Sequence, residues 1–260
     1  MLLTERAKKF LNRQEYRADA VKSEELIRQA FNKIGKAPVQ ALIDFQLNYG
    51  GLMIYAGLEP ICFGILHGDM VRGDFYEPER IIHDFIHYPP DEDSPLDHLT
   101  CADTLYQELF TLDFEGKYYE GYTLVATRFE HQIEDLAVFD EIVGNGHERF
   151  ERIYIEDLQT HLDFEQVKKE LELFDYPDYT QDVKKWACNE QLYVGLSHDT
   201  FLMISKEGFT ETQQAYLQHV KELAAEVSNQ NPTFEDLTTL QGPVRQRKSG
   251  FWERLKGLWS

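Results

Sequence analysis

Apolar positions recur at helical spacing near the N-terminus, and the pattern then shifts to short alternating runs. Leu3, Ala7, Phe10 and Leu11, followed by Leu26, Ile27, Ala30, Phe31 and Ile34, predict one or two amphipathic helices over 4–34. Ser23 is a start signal for the second, with Glu25 one position early for a capping box. Lys36-Ala37-Pro38 admits a further helix carrying Val39, Leu42, Ile43, Phe45 and Leu47 toward Tyr49, stopped by Gly50-Gly51. From 52 to 76 the runs LMIYAGL, ICFGIL and DMVRGDFY predict antiparallel strands, and the prolines and acids of HYPPDEDSPLDHL (87–99) predict a loop. The strongest hairpin joins 104–113 to 117–125 across Phe114-Glu115-Gly116. Thr127 then starts a helix reaching about Phe139. Gly144-Asn145-Gly146 reads as a boundary between lobes. Beyond it come a helix over 158–174, strands over 183–187, 192–196 and 201–204, and a long helix over 210–227.

Runs of strands between helices, without regular alternation, predict an α+β protein with an antiparallel mixed sheet packed by helices. The predicted organisation is one α+β domain over 1–143, a second α+β lobe over 147–242 and a basic amphipathic segment over 243–260.

Charge sharpens this picture. The 260 residues carry 46 acidic and 26 basic side chains, a net −20. Both ends are basic, so residues 38–242 hold 40 acids against 12 bases, a body at −28. Such a field repels phosphate backbones and anionic lipid, and speeds capture of a basic partner. Nucleic acid is therefore not an expected ligand. No stretch of about 18 apolar residues exists to span a membrane, and MLLTERAKKF lacks the apolar centre of a secretory leader. Cys62, Cys101 and Cys188 show no metal-binding or disulfide spacing, which fits a reducing cytoplasm.

Three features are candidates for chemistry. His83 and His87 stand four apart with Asp84 after the first, which on a helix would aim two imidazoles at one metal; Tyr88-Pro89-Pro90 stops any helix there, and a buried strand end is the stronger reading. His67-Gly68-Asp69 is similar to a phosphotransferase triplet but lacks the metal-binding asparagine five residues on, so a turn is the better account. No nucleophile elbow, phosphate loop or zinc-protease motif occurs, and neither an enzyme activity nor a cofactor is expected. Acids interleaved with aromatics are the remaining feature. Asp91, Glu92 and Asp93, then Tyr118, Tyr119, Glu120 and Tyr122, then Asp175, Tyr176, Asp178 and Tyr179 are the candidate partner-binding positions, aromatic anchors among carboxylates. The C-terminal Phe251, Trp252, Leu255, Leu258 and Trp259 fall on one helical face, suited to docking on the acidic body or to lying on an anionic membrane.

Three segments in order resemble the SUKH superfamily, α+β proteins that include many bacterial toxin-immunity proteins and a yeast cell-wall regulator. They are the helix, turn, helix and Gly-Gly of ELIRQAFNKIGKAPVQALIDFQLNYGGL (25–52), the hairpin LDFEGKYY (112–119), and VATRF (125–129) running to Ile133, Glu134 and Ala137. The resemblance covers 25–137, with Gly35 to Pro38 one residue shorter than the usual spacing and no counterpart for 145–260. It implies a non-enzymatic immunity protein that binds and neutralises a cognate toxin domain.

Overall fold

The computed structural model describes residues 3–18, 20–55, 60–66, 85–91, 94–103, 109–121, 123–147, 149–155, 157–179 and 183–230. Helices and antiparallel sheets make it an α+β protein. It divides into two compact units, residues 9–132 and residues 3–8 with 133–230.

The N-terminal unit follows α1 (Glu5–Leu11) with β1 (Glu15–Tyr16), α2 (Glu24–Lys33), α3 (Gln40–Tyr49), β2 (Leu52–Tyr55), β3 (Pro60–Phe63), β4 (His87–Tyr88), β5 (His98–Thr100), β6 (Ala102–Asp103), β7 (Phe110–Asp113), β8 (Tyr118–Glu120) and β9 (Thr123–Ala126). Ser23 caps α2 by accepting a hydrogen bond from the Leu26 amide at 3.4 Å, and Ile27, Ala30 and Phe31 form its buried stripe. Two antiparallel sheets follow, in the orders β1-β2-β3-β6 and β4-β5-β7-β8-β9. The side chain of Gln46 on α3 satisfies four backbone groups at once. Its Nε2 donates to the Val21 and Leu66 carbonyls at 2.9 and 2.6 Å, and its Oε1 accepts from the Ile65 and Leu66 amides at 2.7 and 3.1 Å. A fully buried amide is tolerated because all its hydrogen-bonding capacity is used.

The expected loop over 87–99 is paired at its ends: His87 lies opposite Leu99 and Tyr88 opposite His98. Prolines and acids predict the excursion between those strands correctly, but two-residue strands are too short to leave a periodic signal. The hairpin over 110–120 forms as predicted, its turn held by Asp113 Oδ1, which accepts from the Glu115 and Lys117 amides at 2.8 and 2.9 Å. The second run breaks at Gly121 into β8 and β9. Residues 67–84 and 104–108, including His67, Asp69 and His83, lie outside the described residues.

Then come α4 (Phe129–Gly144), β10 (Arg149–Tyr154), α5 (Leu158–His161), α6 (Phe164–Glu170), β11 (Phe174–Asp175), β12 (Lys185–Cys188), β13 (Leu192–Leu196), β14 (Thr200–Ser205) and α7 (Glu211–Gln230). The Thr127 hydroxyl does not cap α4 through the backbone; it is hydrogen-bonded to His131 Nδ1 at 3.0 Å. The Gly144-Asn145-Gly146 stretch closes this helix. Gly146 has φ +82°, its amide donates to Val143 and the His147 amide to Ile142, which ties off the last carbonyls in a Schellman turn. The two compact units divide inside α4, after Gln132, and the N-terminal residues 3–8 group with the C-terminal unit. The expected helix over 158–174 splits where Asp163 caps α6, accepting from the Glu165 amide at 3.0 Å.

The C-terminal sheet runs β10-β14-β13-β12-β11, all antiparallel. One face, with Ile153, Ala187, Leu192, Val194, Leu196, Phe201 and Met203, packs with Leu158, Val167, Leu217 and Val220 of α5, α6 and α7 into a core. The helix α7 opens with a reciprocal box: Thr210 Oγ1 accepts from the Gln213 amide and Gln213 Oε1 from the Thr210 amide. The segment over 243–260 lies outside the described residues.

Candidate functional site

The second face of the C-terminal sheet carries Trp186, Tyr176 and Tyr193, and the part of α4 from residue 133 onward meets them with polar side chains. Asp135 Oδ1 accepts from Trp186 Nε1 at 2.6 Å, Asp135 Oδ2 pairs with Lys184 Nζ at 2.6 Å, and Glu141 Oε2 accepts from the Tyr176 hydroxyl at 3.0 Å. Past the helix end, the His147 ring stands edge-on to Tyr193 at 4.7 Å. The indole of Trp186 lies across Gly195, where an added Cβ would come within 3.1 Å of it.

The N-terminal strap of residues 3–8 joins the same face. Thr4 donates both its amide and its hydroxyl to Glu134, each at 2.7 Å. Arg6 stacks over the Tyr176 ring at 5.0 Å, approaches Glu134 at 3.5 Å and Glu141 at 3.8 Å, and donates to the Pro177 carbonyl at 3.3 Å. Burial, then the neighbouring carboxylates, push the hydroxyls of Tyr176 and Tyr179 well above their ordinary range. They remain neutral donors at any physiological pH.

At the β11 edge, by contrast, side chains face water. Phe174 is 74% exposed, more than any other large hydrophobic residue among those described, and Asp175 and Asp178 beside it are exposed. Two non-glycine residues with positive φ bracket the edge, Glu172 at +53° and Asp178 at +55°. Glu172 occupies the position after α6 where glycine is usual, with the Leu173 amide closing back on the Lys168 carbonyl at 2.8 Å. Lys168 holds Asp175 at 2.6 Å and Glu165 at 2.8 Å, and these bonds raise its ammonium pKa. The strand itself is a poor template for adding another strand. It is two residues long, carries a charge and runs into Pro177, which are devices that protect an edge. What it offers is a side chain, not a ladder.

The predicted positions therefore separate. Tyr118 and Tyr119 are buried in the N-terminal unit, where Tyr118 stacks near Phe110 and Tyr119 donates to Asp113 Oδ2 at 3.1 Å, so neither presents a surface anchor. Glu120 is half-buried and accepts from the Tyr118 hydroxyl at 3.3 Å. Tyr176 is buried and Tyr179 half-buried, its hydroxyl 3.5 Å from Asp135. Asp175 and Asp178 are exposed, one and four residues past the exposed Phe174, and Asp91 is exposed in the β4–β5 excursion. Glu92, Asp93 and Tyr122 lie outside the described residues. The interleaving of acids and aromatics in Phe174-Asp175-Tyr176-Pro177-Asp178-Tyr179 marks Asp175, Tyr176, Asp178 and Tyr179 and does not single out Phe174. Strand alternation puts Phe174 and Tyr176 on the same face, so no local signal says that only the second is covered. Arg6, distant in sequence, left no signal at all.

In the N-terminal unit, the β4–β5 excursion exposes Tyr88 and Leu96 and is braced by two imidazoles. His87 Nε2 meets Asp97 at 2.8 Å, and Lys36 reaches the same carboxylate at 2.8 Å, which holds it below the usual carboxylate range. His98 is hydrogen-bonded to Ser94 Oγ at 3.0 Å and to Thr111 Oγ1 at 3.1 Å. A serine beside a histidine suggests nucleophile activation, yet the second ring nitrogen meets a hydroxyl where a triad would place a carboxylate. These bonds shape a loop. His87 sits on a strand, so the helical spacing argument for a metal at His83 and His87 fails at that end, and among the described residues no group of three or more His, Cys, Asp or Glu side chains could hold a metal. No described helix is long and apolar enough to cross a membrane.

Comparison with known proteins finds no matching family model, no matching curated protein and no matching solved structure.

Proposed function

We propose that this chain acts by binding rather than by catalysis, as a cytoplasmic immunity protein that masks a basic toxin domain. The observation that carries the reading is Phe174, a large apolar side chain held in water between exposed carboxylates by a segment with left-handed backbone at both ends. An exposed aromatic anchor with a charged rim is what a protein interface uses: the ring supplies residence time and the carboxylates steer a cationic partner into place. Backbone held in sparsely populated conformations at a surface segment is a further mark of function. The acidic body and the SUKH-like order of helix, turn, helix and hairpin in the N-terminal unit point to the same class.

The test is affinity capture with the tagged chain from cells that also express the neighbouring genes, in parallel with Phe174→Ala. A basic polypeptide retained at low salt, released at high salt and lost with the variant is the expected result. Retention of no polypeptide, or retention indifferent to both salt and Phe174, overturns the reading.

A further inference from the structure

Tyr176, one of the aromatics that the sequence marks for a cationic partner, already holds a cation, and it is the chain's own Arg6. Its surroundings supply the elements that recognise a guanidinium: the carboxylates of Glu134 and Glu141, the face of Tyr176 and the carbonyl of Pro177. Arg6 nevertheless fills this place badly. Its Nε and Nη2 are buried with no hydrogen-bond partner, its two ion pairs are long, and its one hydrogen bond is 3.3 Å. Lys184 on Asp135, at 2.6 Å, shows what a well-seated cation looks like a few residues away. A planar fork that can form two parallel bonds to a carboxylate forms none here.

The backbone explains the misfit. Thr4 is fixed by both Glu134 oxygens and Ala7 is fully buried, so Arg6 must reach its carboxylates from a strap whose position its neighbours dictate. Those same anchors let the side chain leave by rotation alone, with the strap in place. Tyr176 and Pro177 follow Phe174 by two and three residues, so the site adjoins the exposed anchor.

We propose that the pocket formed by Glu134, Glu141, Tyr176 and the Pro177 carbonyl is a guanidinium subsite of the partner surface, occupied in the free protein by Arg6 and taken over by an arginine of the basic partner. The inference rests on the binding reading above and gives it a chemistry: arginine in preference to lysine. Arg6 then acts as a tethered competitor that lowers affinity for every incoming cation, so that one able to use the site's full acceptor set is best placed to displace it.

The experiment uses the full chain and Arg6→Ala, with arginine amide and lysine amide as probes, followed by NMR titration of the Tyr176 region and by thermal shift. A resident competitor reduces apparent affinity by the fraction of time it vacates the site, so the variant is expected to bind arginine amide at least about tenfold more tightly than the wild type. Lysine amide should bind both proteins more weakly. Equal affinity of wild type and variant for arginine amide, or no preference over lysine amide, overturns the proposal. If Arg6→Ala fails to fold, Arg6→Lys carries the same comparison, because it keeps the stem and the charge while removing the fork. The outcome is independent of Phe174, so failure here leaves the capture result standing, and failure of capture leaves a guanidinium site without a protein partner.

Discussion

Glu172 shows how much one backbone angle decides. A side chain with a Cβ in the left-handed region costs about 1–2 kcal/mol, and glycine recovers part of that at the expense of a more flexible unfolded chain. Glu172→Gly is therefore expected to raise unfolding free energy by up to about 1 kcal/mol in urea titrations; a loss would mean that the carboxylate itself is held by the fold. His147 makes the opposite kind of prediction. Its ring is buried, and burial, with Lys206 adding to it and the Ile142 backbone opposing it, lowers its pKa below the ordinary 6.5. As pH falls through 6.5 the unfolded chain takes the proton first, so stability present above that value is lost between it and the lower folded value. His98, also lowered chiefly by burial, adds a loss of the same sign in the N-terminal unit. His147→Phe keeps the edge-on contact with Tyr193 and should flatten part of the acid slope measured by denaturation from about pH 7 to about pH 5. An unchanged slope would show that His147 does not titrate on unfolding. Neither residue announces itself in the sequence: a glutamate after a helix and a histidine after a glycine are ordinary until φ and burial are known.

At the scale of elements, the long and strongly patterned pieces were legible and the short ones were not. The helices α2, α3 and α7 and the strands β13 and β14 follow from periodicity, because each buries a continuous stripe. The strand β10 was missed because its alternation mixes Phe150, Arg152 and Tyr154 on one face with Glu151 and Ile153 on the other, so neither face reads as plainly apolar. The acid-aromatic site was half legible. Composition marked the right segment, but which of its aromatics is covered depends on α4 and the N-terminal strap, contacts from far along the chain. The seam between β12 and β13 allows a direct test. Gly195→Ala would drive a methyl group into the Trp186 ring, and overpacking of this kind costs about 1–3 kcal/mol. Loss of stability together with altered tryptophan fluorescence is expected, since displacing the indole also breaks its bond to Asp135. A neutral effect would mean that Trp186 can repack without that bond.

For the molecule as a whole, a net charge of −20 opposes its own folding through repulsion among carboxylates. Surface repulsion is screened over about 10 Å at 0.1 M salt. Melting temperature should therefore rise as sodium chloride is added from low ionic strength, and a fall would place the dominant electrostatics in attractive pairs such as Lys184 with Asp135. The three cysteines turn the division into two units into something measurable. Cys62 and Cys101 are buried in the N-terminal unit, and Cys188 is half-buried in the C-terminal one. Burial lifts the Cys101 and Cys188 thiols above their ordinary pKa, which leaves little thiolate to react in the folded state. An alkylating reagent thus reaches the buried Cys101 only when its surroundings open, whereas the half-buried Cys188 is slowed by its raised pKa without being shut off. Time-resolved iodoacetamide labelling read by mass spectrometry would clock the opening of the N-terminal unit, with Cys101 as its native stopwatch and Cys188 as the half-open reference.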